Sequence, residues 1–78
     1  MIRLAKIKRE NNIISAVITT VETKPKTFKL ALDLETDKLV ENTYGRMCMD
    51  VGMAKHKLRT LAEENGYNLP ETDISSWY

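Results

Sequence analysis

Cys48 and His56 are each the sole residue of their kind in the chain, so a thiolate–imidazole pair is the first chemistry to test. Such a pair needs hydrogen-bond contact between sulfur and ring nitrogen. Eight positions apart on one helix, the two are separated by about 12 Å of rise, which argues for a packed, inert thiol and a surface histidine. Zinc fares no better, because its ligands come as clustered Cys and His pairs. No catalytic residue, metal ligand or cofactor is assigned, and the chain is not expected to be an enzyme.

Two further patterns resemble functional motifs and lack their remainder. Asp33, Glu35 and Asp37 carry the alternating acids that open an EF-hand calcium loop, but Lys38 stands where that loop needs Gly and Tyr44 where it needs a bidentate Glu. A strand with apolar residues on its other side gives the same alternation. Leu69-Pro70-Glu71-Thr72-Asp73 looks like a sortase sorting signal, Leu-Pro-x-Thr-Gly, with Asp73 in place of the glycine. Such a signal needs a hydrophobic tail and basic stop residues after it, and five residues follow here.

Charge and exposed apolar residues supply the remaining candidates. Overall charge is near neutral, yet residues 1–30 hold seven basic and two acidic side chains, and residues 31–78 five and nine. Arg3, Lys6, Lys8, Arg9, Lys24, Lys26 and Lys29 are therefore candidate nucleic-acid contacts. Against this, Phe28 is the sole aromatic among them, whereas single-strand binders offer several stacking rings. A hairpin would also put Lys24 and Lys26 at one end and Arg9 near the other. Met49, Met53 and His56 lie together on a helical wheel, opposite the apolar stripe. With Trp77 they form a candidate protein interface, covered either by the C-terminal tail or by a second chain.

The elements that must position these residues are few. Seventy-eight residues make a single small domain, 1–78, at a size where folding buries only about 60% of the unfolded surface. Arg46 to Asn65 is the stretch that reads as a long helix, with Met47, Val51, Ala54, Leu58, Leu61 and Ala62 on its core side and Asn65-Gly66 as its stop. Ahead of it, Met1–Arg9 reads as a strand whose broken alternation suggests a bulge. Glu10-Asn11-Asn12 reads as a hairpin turn, and Ile13–Glu22 as a central strand. After the interruption at Thr23–Lys26, Phe28, Leu30, Leu32 and Leu34 alternate with polar partners as a half-buried strand. Residues 38–43 return as a short fourth strand, or else Thr36 caps a helix from Asp37 to Tyr44 that ends at Gly45. Tyr67–Tyr78 is too apolar for a free tail and is expected to dock.

The expected fold is α+β: an antiparallel meander of three or four strands packed on one long C-terminal helix, with the tail running back. Its outline is like that of many small bacterial or phage proteins, with no family whose functional residues match these positions. A lone cysteine suits the reducing cytoplasm, and the longest apolar run near the N-terminus, Ile13–Ile18, is far too short for a membrane span. A domain this small has little room for a deep pocket beside its core. The leading expectation is a non-enzymatic protein-interaction or regulatory module, acting on a partner protein or on itself, with a nucleic-acid binder as the alternative.

Overall fold

The computed structural model of the chain describes residues 1–75. It is an α+β fold in two layers, a five-stranded antiparallel sheet with one helix across one face. The strands are β1 (Ile2–Glu10), β2 (Ile13–Thr20), β3 (Thr27–Asp33), β4 (Lys38–Asn42) and β5 (Asp73–Ser75), and the helix α1 is Met49–Asn65. Strand order across the sheet is β4-β3-β2-β1-β5. The first four strands thus form a meander, and β5 adds itself to the free edge of β1. That fifth strand exceeds the three or four expected.

Turn chemistry explains why the meander closes where it does. Asn11 takes a positive φ of 55°, a conformation Asn tolerates better than most residues, so Glu10 can pair directly with Ile13. Between β3 and β4, the Asp33 carboxylate accepts from the Glu35 and Thr36 amides at 2.9 and 3.4 Å, and Asp37 adopts φ 61°. An N-terminal helical turn cannot absorb that left-handed residue. Residues 38–42 accordingly form a strand and not the alternative helix.

The core lies between α1 and the sheet's inner face. Ile2, Leu4, Ile14, Ile18, Leu30, Leu32, Val51, Ala54 and Leu58 are sealed from solvent, and Phe28, Leu61 and Ala62 nearly so. Leu34 is only partly buried and packs on the edge of this cluster. In β1 an extra residue is accommodated by a bulge between Ala5 and Lys8. Lys6 takes φ 52° there, so Ile2, Leu4 and Ile7 all reach the core although their spacing breaks alternation.

The helix differs from expectation at two of the three methionines near its start. It begins at Met49 with Cys48 as N-cap, not at Arg46, and Met47 stands outside it at 61% exposed. Met53, expected opposite the apolar stripe on a face covered by the tail or by a second chain, is buried at 4%, whereas Met49 of the same expected face is 71% exposed and His56 is exposed. Lys57, one turn beyond Met53 on the same flank, pairs with Asp73 of β5 at 3.2 Å. Leu69 packs against the core cluster that includes Met53. Trp77, expected over Met49 and Met53, lies outside the described residues. At the far end Gly66, with φ 62°, donates its amide to the Ala62 carbonyl at 2.9 Å, the helix stop the sequence predicts.

Candidate binding surface on the open face of the sheet

A sheet packed on one helix has two faces, and here the outer one is bare of any other element among the described residues. Register fixes what it displays. Lys8, Ser15, Ala31 and Glu41 lie in one row across β1, β2, β3 and β4, and Ala5, Val17 and Lys29 in the next. Small side chains therefore occupy the middle and long charged ones flank them. The result is a shallow hollow of about 240 Å³, bordered by Lys6, Lys8, Ser15, Val17, Lys29 and Glu41.

The bulge is what brings Lys6 to this hollow. In an unbroken strand Lys6 would share the face of Ile2 and Leu4, and its ammonium would be driven into the core. With the extra residue, Lys6 and Lys8 both border the outer hollow while Ile7 turns inward. The Ile7 amide meanwhile donates to the Glu71 carbonyl at 3.1 Å, which ties the returning chain to the same irregularity.

The seven basic residues singled out in the N-terminal half separate into three groups. Lys6, Lys8 and Lys29 surround the hollow, and Arg3 lies on the neighbouring row, opposite Thr19 and Ile74. Lys24 and Lys26 belong to the loop between β2 and β3, which closes on Thr20: the Lys26 amide donates to its hydroxyl at 2.8 Å, and the Thr20 amide to the Lys26 carbonyl at 2.9 Å. Arg9 faces the helix side. Its guanidinium stacks 4.2 Å from the centre of the Tyr67 ring and donates to the carbonyls of Asn11 and Gly66 at 2.9 and 3.2 Å. It ties the first hairpin to the end of the helix.

Ion pairing sorts the charges further. Among the described residues, every ion pair draws its cation from α1: Lys55 and Arg59 with Asp37, Arg59 with Glu63, and Lys57 with Asp73. The cations of the open face have no such partner there, although Glu41 stands at its border. Position in the sequence gives the first thirty residues their basic balance. Only the register shows which of those cations share a surface.

The aromatic rings of the described residues lie elsewhere. Phe28 is buried at 3% exposure, in edge-to-face contact with Tyr44 at 5.0 Å, and Tyr67 is engaged with Arg9. Among the described residues no group of three His, Cys, Asp or Glu side chains is placed to hold a metal ion. Asp33 and Asp37 of the calcium-like stretch are instead occupied by turn amides and by helix cations. Nor is any described helix long and apolar enough to cross a membrane. These features define a small α+β domain with a half-covered sheet. No family model, curated protein or solved structure matches the chain.

Proposed function

We propose that the chain is a non-enzymatic interaction module, acting in the cytoplasm, whose contact surface is the open face of its sheet. The observation that carries this reading is the one-sided cover of a five-stranded sheet: α1 packs on the inner face, and the outer face carries a shallow, small-residue centre ringed by charge. A hollow this open suits a partner's surface better than a small molecule, which binds in clefts that enclose most of its area. The unpaired Cys48 fits a compartment that keeps thiols reduced.

Capture of partners from the source organism tests the surface when done with matched variants. Ser15→Trp fills the hollow without touching the core and is expected to abolish capture of whatever the wild type retains. Met49→Arg with His56→Glu, on the outward side of the helix, is expected to leave capture intact. The reverse pattern would make the exposed helix face around Met49 and His56 the working interface.

A further inference from the structure

We infer that the partner of the open face is double-stranded DNA, held through its phosphate backbone by Lys6, Lys8 and Lys29. This inference rests on the open face being the contact surface and adds the chemistry of what lies on it. Charge complementarity is the argument. The helix cations are consumed by Asp37, Glu63 and Asp73, while Lys6, Lys8 and Lys29 project around one hollow without an ion-pair partner among the described residues. Glu41 on β4 is the single acid bordering the three lysines and forms no ion pair with them among the described residues, and the sheet places Ser15, Val17 and Ala31 between them.

Spacing and composition narrow the polyanion. Lys8 and Lys29 stand on β1 and β3 in adjacent same-face rows, two strand spacings across and two residues along, or about 12 Å apart between backbones, commensurate with the roughly 12 Å width of the major groove of B-DNA. Flexible lysine arms act as point charges that follow phosphates without demanding planar, bidentate geometry. The described face offers no aromatic ring on which an unpaired base could stack, the feature that single-strand binders depend on. Recognition is therefore of backbone and not of sequence.

Fluorescence anisotropy of a labelled short duplex against the full chain tests this. Three neutralised phosphates give an association constant that falls roughly 40-fold between about 50 and 200 mM salt. Lys8→Gln and Lys29→Gln should each weaken binding and lower the log–log salt slope by about one. Adding Lys6→Asn, a residue that accepts the left-handed backbone there, should remove measurable binding, with circular dichroism unchanged. Lys57→Gln on the helix should bind as wild type does. The inference is overturned by absence of duplex binding at about 50 mM salt, by binding indifferent to the three lysines, or by tighter binding of an equally long single strand. Preference for a polyglutamate peptide through the same lysines would also overturn it, and would point to an acidic protein segment. In each of these cases, partner capture that still fails with Ser15→Trp would leave the open-face reading standing.

Discussion

Two methionines four positions apart in one helix have opposite fates, and the difference gives a direct test of which side of the helix the core claims. Met53 is buried at 4% and Met49 is 71% exposed. Met53→Ala is expected to cost about 2–5 kcal/mol of stability, the range for truncating a buried long side chain, and Met49→Ala less than about 0.5 kcal/mol. Urea unfolding of the two variants checks the pair, and equal losses would contradict the burial described. A helical wheel cannot make this distinction, since it assumes a single buried side. It registers neither the Lys57–Asp73 contact at 3.2 Å nor the Leu69 packing, both of which come from residues beyond the helix. Arg9 shows the same limit for charge: composition counts it with Lys6 and Lys8, but its stacking on Tyr67 at 4.2 Å makes it part of the scaffold.

Elements were legible in proportion to their length and regularity. Strand β3 announces itself, because Phe28, Leu30 and Leu32 all face the core at strict two-residue spacing. The helix is equally plain, apart from its first turn, where Met47 continues the apolar stripe although the backbone becomes helical only at Met49. By contrast, β5 spans three residues, too few for any periodicity to show, and exists because β1 offers an unpaired edge to it. The bulge in β1 was visible as a broken alternation, while its consequence for Lys6 required the register. Deleting Lys6 leaves Ile2, Leu4 and Ile7 in perfect alternation, removes a left-handed lysine worth about 1–2 kcal/mol of strain and forfeits a hydrogen bond from Ile7 worth about 1 kcal/mol. The deletion variant is expected to fold with nearly wild-type stability, measured by thermal unfolding. Failure to fold would show that the bulge is required for pairing with β2.

At the scale of the whole molecule, the pairing of β1 with β5 joins positions far apart in the chain: Ile2 lies opposite Ser75 and Leu4 opposite Asp73. Truncation after Gly66 should therefore do more than remove a short strand. It uncovers the outer edge of β1 and the flank of Met53 together, and the shortened chain is expected to self-associate, seen as a scattering mass that rises with concentration. A truncated chain that stays monomeric and as stable as the full chain would contradict this. The same pairing also sets an order of events during synthesis. A ribosome adds about 5–20 residues per second, so residues 73–75 are made roughly 2–6 s after Asn42, the last residue of the β1 to β4 meander. Through that interval β1 is an edge strand with its amides unanswered, and its final partner is among the last described residues to be made. The nascent domain thus carries a timed vulnerability at its first strand, which ends when β5 is translated and released to pair with it.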